Sequence, residues 1–429
     1  MKYGPLTLAK IPLLYISDID RLFESEEKIE KYRSKCFKKI IKYAMKIPLY
    51  KEKYKGIDIN SISLENIENL PILKKEDIRK NFPDKIIPDK RKKYSIVSTS
   101  GSTGKPVSIY VDFYTIIKAL MGFLRELREY DVNWMKDRMS IIADLAPDAI
   151  EEFYLRRCLP FKLNNLQILH VGEEVEKMAE KIEKFDPKFL GGYPSSLRAL
   201  AIIKNKKGLK IEPEVMASSG AVLDEYTKKY IEEAFNARVY DVYGSTEGGP
   251  IAYECKRGKY HLHYDMVHVE VVDENNEPTD KTGRIVVTKL YGNATPIIRY
   301  DGLNDFITPI KSKCGCGINS PIIERIEGRK ADSIILPSGK IIPPFTITGI
   351  PAKVMYSFQR FSIDQFQIVQ VSEDEIIINL VIDKSEDRKE ILKKKIKEEF
   401  EKKLQGMKIE VREVNEIEKN KPVVISNLA

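Results

Sequence analysis

Cysteine and histidine are scarce in this chain of 429 residues, which contains five cysteines and four histidines. A small and odd number of cysteines argues against a framework of disulfide bonds. Cys36 and Cys158 lie in apolar or basic helical contexts, so we expect both to be small buried residues. The remaining three cysteines are considered below as metal ligands.

Long apolar runs are missing too. No run reaches the roughly 18 residues that a membrane span requires, and no small-residue cleavage site follows the apolar patch near the N-terminus. We therefore expect no membrane partner and a cytoplasmic location. The composition, 42% hydrophobic and 32% charged, is that of a globular protein. The length exceeds the ~250–300 residues at which one core stops growing, so more than one domain is expected.

The net charge of +8 could suggest a nucleic acid or another anionic ligand. Lysine and glutamate are interleaved in segments such as 393–403, which is typical of a solvated helix face. A nucleic-acid-binding groove would need a basic patch instead. We expect no nucleic-acid partner.

The order of apolar segments predicts an α/β fold. Between 113 and 250, helical stretches alternate with short apolar runs, a pattern typical of a mainly parallel sheet. Strands follow each other closely over 259–310, which indicates an antiparallel or barrel-like subdomain. Beyond about 330 the pattern predicts a compact β–α–β unit. We therefore predict a large N-terminal domain over 1–330 and a small α+β domain over 331–429.

The segment 94–112 predicts a β-hairpin whose tip is made of small polar residues. Such a tip offers backbone N–H groups, hydroxyl donors and the charge of Lys105 to an anion. It differs from a Walker A loop in its spacing and because Pro106 follows the lysine. The alternative is a flexible hairpin tip without a ligand. The candidate phosphate-binding residues are Ser100, Gly101, Ser102, Thr103, Gly104 and Lys105.

A second motif, Asp-Val-Tyr-Gly-Ser-Thr-Glu-Gly-Gly, occupies residues 241–249. An apolar strand ends there in a tight glycine turn that carries Thr246 and Glu247. Ligands bind beyond the carboxyl ends of strands in α/β sheets, and a carboxylate at that place could hold Mg²⁺ against phosphates. The alternative is an ordinary surface glutamate.

These two motifs resemble those of the adenylate-forming enzymes, the acyl-CoA synthetase and luciferase superfamily. Residues 98–106 resemble its phosphate loop, and 241–249 resemble its Tyr-Gly-x-Thr-Glu motif. The chain is most similar to the branch of phenylacetate-CoA ligases and their relatives in capsule-biosynthesis loci, and the resemblance extends over nearly the whole chain. Further segments that carry it are 38–56, 70–82, 191–201, 217–225, 297–307 and 326–344.

The resemblance implies a role for each matching residue. The loop ending at Lys105 would bind the β- and γ-phosphates of ATP, Thr246 the α-phosphate and Glu247 the Mg²⁺. Asp305 and Arg329 would reach the ribose. A small domain that swings between two poses, with a pivot near 330–332, is implied as well. Ser219, Gly220 and Ala221 would pack on adenine. The other candidate nucleotide-binding residues are Asp241, Tyr243, Gly244 and Ser245.

The family also implies a catalytic lysine near the C-terminus that offsets negative charge at the α-phosphate. Lys419 is the best match and Lys421 is the alternative, because the glycine that precedes the family's lysine is missing. Other departures from the family pattern are Ala331 at the pivot with Asp332 beside it, one extra residue before Asp305, and a segment 143–150 without the glycines of phenylacetate ligases.

The pair Cys314-Gly-Cys316 lies on a glycine-rich loop and could supply two thiolates to zinc. Cys255, followed by His261 and His263, could complete a tetrahedral site. Relatives with a similar arrangement have their ligands at the positions of Cys255 and His261. We therefore predict a structural Zn²⁺ site of Cys255, His261, Cys314 and Cys316, with unliganded reduced thiols as the alternative.

These features together predict an AMP-forming ligase. It would use ATP and Mg²⁺ to activate a carboxylic acid as an acyl-adenylate and would then transfer the acyl group to coenzyme A. One alternative is an adenylyltransferase that transfers AMP to an acceptor without coenzyme A. Another is a nucleotide-binding relative without catalysis. The acid and the oligomeric state, monomer or homodimer, stay open.

Overall fold

The computed structural model describes residues 10–88, 94–98, 107–144, 164–329, 333–339, 341–342, 345–358, 362–417 and 423–426. The α-helices are α1 Lys10–Asp18, α2 Glu26–Ala44, α3 Pro48–Lys53, α4 Lys75–Asn81, α5 Phe113–Glu129, α6 Val175–Phe185, α7 Pro194–Lys207, α8 Glu225–Phe235, α9 Phe345–Thr348, α10 Ile350–Phe358 and α11 Lys389–Lys403. Short 3₁₀ helices occur at Arg21–Phe23, Ile59–Ser61 and Ile67–Asn69.

The strands alternate with these helices in the middle of the chain and follow each other directly after it. They are β1 Ser95–Ser98, β2 Ser108–Val111, β3 Met139–Ala143, β4 Leu166–His170, β5 Phe189–Gly192, β6 Val215–Ser219, β7 Arg238–Ser245, β8 Gly249–Glu254, β9 Tyr260–Leu262, β10 Val267–Val272, β11 Gly283–Lys289, β12 Asp305–Ile310, β13 Ile322–Arg329, β14 Ile334–Ile335, β15 Ile341–Ile342, β16 Ile363–Gln370, β17 Glu375–Ile382, β18 Lys408–Glu413 and β19 Val424–Ser426.

Local sequence explains several of the helix ends. Asp112 precedes α5 and its carboxylate accepts a hydrogen bond from the backbone N–H of Thr115 (2.9 Å), which satisfies one of the free N–H groups at the helix start. Asp224 caps α8 in the same way through Thr227 (2.9 Å). Gly208 ends α7 in the left-handed region, with φ at +66°, where glycine has no steric penalty.

The described residues form two compact units. The first contains the described residues up to Lys136 together with Val242–Arg325. The second contains 137–144, Asn165–Asp241 and the described residues from Ile326 onwards. The chain passes from the second unit to the first within β7. The predicted domain boundary near 330 stays a prediction, and residues 330–332 lie outside the described part of the chain.

The first unit contains helices α1 to α5 and a series of antiparallel strand pairs. The predicted hairpin over 94–112 is confirmed, because β1 pairs antiparallel with β2 from Ser95↔Val111 to Ser98↔Ser108. Antiparallel pairs also join β7 to β8, β8 to β9, β9 to β13, β10 to β11 and β11 to β12. These closely spaced strands agree with the antiparallel pattern predicted for 259–310.

Charged side chains buried in the first unit occur in pairs. Both Nη atoms of Arg125 on α5 lie 2.8 Å from the carboxylate oxygens of Asp265, and Lys118, 1% exposed, pairs with Asp18 at the end of α1. Burial alone would raise the pKa of Asp265, but the neighbouring Arg125 guanidinium lowers it to about 2. The ion pairs therefore hold α1 and the loop before β10 on α5.

The second unit contains the predicted parallel sheet. Strands β4, β3, β5 and β6 pair in parallel in that order. Helices α6, α7 and α8 pack on it through an apolar core that includes Leu190, Leu197, Met216 and Ile231. Each helix follows a strand, which is the arrangement that parallel strands require because their connection must cross the sheet.

A smaller α+β sheet in the second unit is formed by β18, β17, β16 and β19. The β16–β17 pair is antiparallel, whereas β17–β18 and β16–β19 are parallel. Helix α11 covers it with Leu392, Ile396 and Phe400. The predicted α/β fold with a large sheet-rich N-terminal part and a smaller C-terminal α+β domain is thus confirmed.

The small sheet is attached to helix α7 of the same unit. Arg198 on α7 donates hydrogen bonds to the backbone carbonyls of Ile363 (2.5 Å) and Asp364 (2.9 Å). Lys206, in the last turn of α7, forms ion pairs with Asp383 (2.6 Å) and Asp364 (3.6 Å). These contacts fix the beginning of β16 on the surface of α7.

Among the described helices, none is long and apolar enough to cross a membrane.

Candidate active site

The predicted phosphate loop follows β1 and precedes β2 in the sequence, and these two strands form a regular antiparallel pair. The hydroxyl oxygens of Ser98 and Ser108, the last residue of β1 and the first of β2, are 2.8 Å apart. The candidate residues Ser100, Gly101, Ser102, Thr103, Gly104 and Lys105 lie outside the described residues. Their proposed contact with the phosphates of ATP therefore stays a prediction.

The turn between β7 and β8 carries the second motif. The Ser245 hydroxyl accepts a hydrogen bond from the backbone N–H of Gly248 (2.8 Å), which closes the turn. Gly249 adopts a left-handed conformation with φ at +75°, and the ladder of β7 and β8 is irregular between Tyr243 and Gly244. This tight turn leaves Thr246 exposed and buries its neighbour Glu247 in the protein.

Glu247 is 3% exposed, and hydrogen bonds fix both its carboxylate and its backbone carbonyl. The hydroxyl of Tyr300 donates a hydrogen bond to its Oε1 (2.8 Å), and the ammonium of Lys289 donates one to its backbone carbonyl (3.0 Å). Oε2 has no hydrogen-bond partner among the described residues. A fixed carboxylate with one free oxygen fits a ligand for Mg²⁺, which binds through one or two carboxylates and substrate phosphates.

Burial changes the ionisation of the two groups that hold Glu247. It lowers the pKa of Lys289 to about 8, against the opposing effect of the Asp112 and Glu247 carboxylates. Burial also raises the pKa of Tyr300, and the charge of Glu247 raises it further. Tyr300 therefore stays protonated and remains a hydrogen-bond donor to the carboxylate.

Tyr243 and Asp305 meet on neighbouring parts of the first unit. The Tyr243 hydroxyl donates a hydrogen bond to Asp305 Oδ2 (2.6 Å), and Asp305, the first residue of β12, is 8% exposed. A carboxylate that already holds one hydroxyl can accept a second hydrogen bond, for example from a ribose. The extra residue before Asp305 thus does not prevent its contact with the Tyr243 motif.

The predicted adenine segment belongs to the second unit. Ser219, Gly220 and Ala221 lie at the carboxyl end of β6 and are exposed. Gly220 has φ at +83°, and a Cβ atom there would lie 2.5 Å from the ring of Tyr193. Only glycine lets the ring approach the backbone so closely. Asp241, the last residue of this unit before the chain enters the first, is buried.

Several remaining predictions fall at the edges of the described residues. Arg329 is the last residue of β13, and its side chain lies outside the described part. Lys419 and Lys421 also lie outside it, as do the pivot residues Ala331 and Asp332. Their assigned roles stay predictions.

The four predicted zinc ligands converge in the first unit. Ligand atoms of Cys255, His261, Cys314 and Cys316 all lie within 4.8 Å of one another. Cys255 Sγ is 3.6 Å from Cys314 Sγ, and Cys316 Sγ is 3.2 Å from His261 Nε2. Tetrahedral zinc with Zn–S bonds of about 2.3 Å would place two sulfurs about 3.8 Å apart. The donor set and its spacing therefore fit zinc.

The surroundings of this cluster orient the ligands. The Ser320 hydroxyl lies 3.1 Å from His261 Nδ1, which leaves Nε2 directed at the cysteines. Burial lowers the pKa of His261 to about 4 and raises that of Cys316 to about 12. The imidazole is thus ready to bind a metal, whereas the thiols would lose their protons on binding it. His263 instead contacts Glu126 (2.9 Å).

Three residues of these sites were not predicted from the sequence: Lys289, Tyr300 and Tyr193. Lys289 carried a weak signal, because it is a single cation at the end of an apolar strand. Tyr300 and Tyr193 lie in segments that resemble the family, but their contacts with Glu247 and Gly220 join distant parts of the chain.

The chain matches two families of known proteins. Residues 39–291 match the AMP-binding enzyme family, and residues 346–422 match the CapK C-terminal domain. The first match alone extends over more than half of the chain and includes the hairpin, the Glu247 turn and Lys289.

Individual relatives agree with the family match. The protein CapK of Staphylococcus aureus is 27% identical over 89% of this chain and 84% of its own length. A phenylacetate-coenzyme A ligase of Thermus thermophilus is 25% identical over 77% of this chain and 76% of its own length. A 2-hydroxyisobutyryl-CoA ligase in complex with 2-HIB-AMP has a TM-score of 0.80 at 19% identity, with 95% of this chain and 91% of that chain covered. The protein therefore belongs to the AMP-binding enzyme family, as an adenylate-forming ligase of the branch that contains CapK and the phenylacetate-CoA ligases.

Proposed function

We propose that this ligase activates a carboxylic acid with ATP as an acyl-adenylate and transfers the acyl group to coenzyme A. The observation that carries the proposal is Glu247, a buried carboxylate held by Tyr300 and Lys289 in the family's motif. Two relatives support coenzyme A as the acceptor, since one is named a phenylacetate-coenzyme A ligase and another was solved with 2-HIB-AMP and CoA.

In the proposed reaction, a carboxylate oxygen of the acid attacks the α-phosphorus of ATP, and pyrophosphate leaves. Thr246, exposed at the turn, would contact the α-phosphate, and Lys105 would contact the departing phosphates. Glu247 would hold Mg²⁺, which offsets charge on the phosphates when bound. Tyr300 keeps the Glu247 carboxylate in one orientation, so that it need not reorganise during the reaction.

A pyrophosphate-exchange assay with and without coenzyme A tests this proposal. Purified protein is incubated with ATP, Mg²⁺, labelled pyrophosphate and each member of a panel of carboxylic acids. We expect label to enter ATP only with particular acids, because pyrophosphate returns only to a formed acyl-adenylate. Adding coenzyme A should then give an acyl-CoA thioester, detected by mass spectrometry.

Other outcomes of this assay would favour another function. Acid-dependent exchange without a thioester would point to an acceptor other than coenzyme A. AMP transfer to a non-carboxylate acceptor would identify an adenylyltransferase. ATP binding without exchange for any acid would indicate a nucleotide-binding relative without catalysis.

We also propose that Cys255, His261, Cys314 and Cys316 hold one structural zinc ion. Protein purified without chelator should contain about one zinc per chain by elemental analysis. Cys314→Ser removes a thiolate ligand and should lower Tm, whereas Cys36→Ser, outside the cluster, should retain the zinc. Pyrophosphate exchange per folded molecule should change little, because the ion would only cross-link the loop. Protein without zinc and with an unchanged Tm in Cys314→Ser would contradict the site.

A further inference from the structure

Lys289 is a buried cation that forms no ion pair with any described residue. It is 2% exposed, and its ammonium makes a single hydrogen bond in the described part of the chain, to the neutral carbonyl of Glu247 (3.0 Å). An ammonium has three donors. Two donors of Lys289 are therefore unused in the described part of the protein.

The two carboxylates whose charges act on this cation, those of Asp112 and Glu247, do not satisfy it. Asp112 uses one oxygen for Thr115 and the other for Asn293 (3.1 Å), and Glu247 uses Oε1 for Tyr300. Lys118, which is buried to the same degree in the same unit, has Asp18 as a direct partner. Buried charges are normally paired, because the unpaired charge is costly to remove from water.

A second unsatisfied group lies beside Lys289. Tyr291 is 5% exposed, and its hydroxyl is buried without a hydrogen-bond partner in the described part of the chain. Lys289 Nζ lies 5.6 Å from the centroid of the Tyr291 ring. The Tyr291 hydroxyl packs against Gly249, where a Cβ atom would lie 2.2 Å from it. Both groups thus border the Glu247–Gly249 segment, and both have donors that no described residue accepts.

We propose that Lys289 and Tyr291 bind an anionic oxygen of a substrate next to the Glu247 turn. The oxygen would belong to a phosphate of ATP or to a carboxylate of the acid, and the proposal rests on the proposed function. Both sources offer the same chemistry, a charged acceptor that fills the free donors of the ammonium and of the phenol. Unpaired buried groups at a functional motif are what such a binding role predicts.

Lys289→Met tests the proposal, because methionine has a similar volume and no charge. We expect Tm at or above that of the wild type, since the substitution removes an unpaired buried charge, as binding sites often trade stability for function. The KM for one substrate should rise by about ten- to a hundredfold, the value of a hydrogen bond to a charged group. The matched control, Lys311→Met, replaces an exposed lysine of the same unit and should change neither quantity.

The two KM values identify the source of the oxygen. A rise confined to the KM for ATP assigns a phosphate, and a rise confined to the KM for the acid assigns a carboxylate. Tyr291→Phe should raise the same KM, and because its hydroxyl has no partner in the described structure, this variant should keep the wild-type Tm. It also serves as the test if Lys289→Met does not fold.

Unchanged KM values for both substrates in Lys289→Met and in Tyr291→Phe would overturn the proposal. A lower Tm in Lys289→Met with only kcat reduced would also overturn it, because that result describes a lysine that merely supports the Glu247 carbonyl. If none of the acids tested supports pyrophosphate exchange by the wild-type protein, the proposed function fails, independently of this proposal. In that case, calorimetric measurement of Mg-ATP binding tests the phosphate contact. A higher Kd in Lys289→Met than in the wild type supports that contact, and an equal Kd rejects it.

Discussion

Glu247→Gln is expected to lower carboxylate-dependent pyrophosphate exchange by at least ~10²-fold, the order found when one charge-stabilising group is removed from a site. Glutamine has nearly the same shape and can still accept the hydrogen bond from Tyr300, so the turn should keep its structure. What is lost is the negative charge that would hold Mg²⁺. Exchange measured over a range of Mg²⁺ concentrations should therefore reach half of its maximum at a higher Mg²⁺ concentration than in the wild type.

Three further variants complete this test. Tyr300→Phe keeps the Glu247 charge but removes the hydrogen bond that orients it, and we expect a smaller loss than in Glu247→Gln. Glu324→Gln replaces an exposed glutamate of the same unit and should leave exchange unchanged. Lys105→Ala should lower pyrophosphate exchange about as much as Glu247→Gln does if the hairpin tip binds phosphates. Exchange like that of the wild type in both Glu247→Gln and Lys105→Ala, with circular dichroism showing folded protein, would reject the site.

The parts of the fold that were predicted correctly depend on local sequence. The β1–β2 hairpin follows from two β-branched runs around small residues, and the alternation of strands and helices before β7 predicts the parallel sheet of the second unit. The four zinc-ligand candidates do lie together: Cys314 and Cys316 were grouped by their spacing on a glycine-rich loop, and Cys255 and His261 by the resemblance to relatives with a similar arrangement. Gly315 and Gly317 both have positive φ in that loop.

The environment of Glu247 could not be predicted, because it depends on tertiary contacts. Lys289 lies 42 residues from Glu247 in the sequence and Tyr300 lies 53 residues away. Neither the hydrophobic periodicity nor the composition of β11 indicates that its last residue, Lys289, contacts the backbone carbonyl of Glu247 in the turn between β7 and β8. The same limit applies to Tyr193 on Gly220. Such contacts are decided by which strands become neighbours, and that is a property of the whole chain.

The C-terminal lysines are flanked by residues that are fixed on β16. On one side, the backbone N–H of Ile417 donates to the side chain of Gln365 (3.3 Å). On the other, the carbonyl of Val423 accepts from Ile368 (2.8 Å), and β19 continues in parallel with β16. Since Arg198 holds the beginning of β16 on α7, a movement of β16 would move both flanks of this segment together.

Lys419→Ala is expected to suppress formation of the acyl-adenylate by at least ~10²-fold, because a compact cation on a flexible stem suits the charge that builds between a carboxylate and an α-phosphate. Thioester formation from chemically supplied acyl-AMP should be largely retained, since the small domain would by then have left its adenylating pose. Lys421→Ala should be milder, and Lys402→Ala, at an exposed site on α11, should resemble the wild type. If the family alignment is off by two residues, the phenotypes of Lys419 and Lys421 will be exchanged. Normal adenylation in both single variants and in the double variant would contradict the assignment, and another cation would then have to stabilise the phosphate.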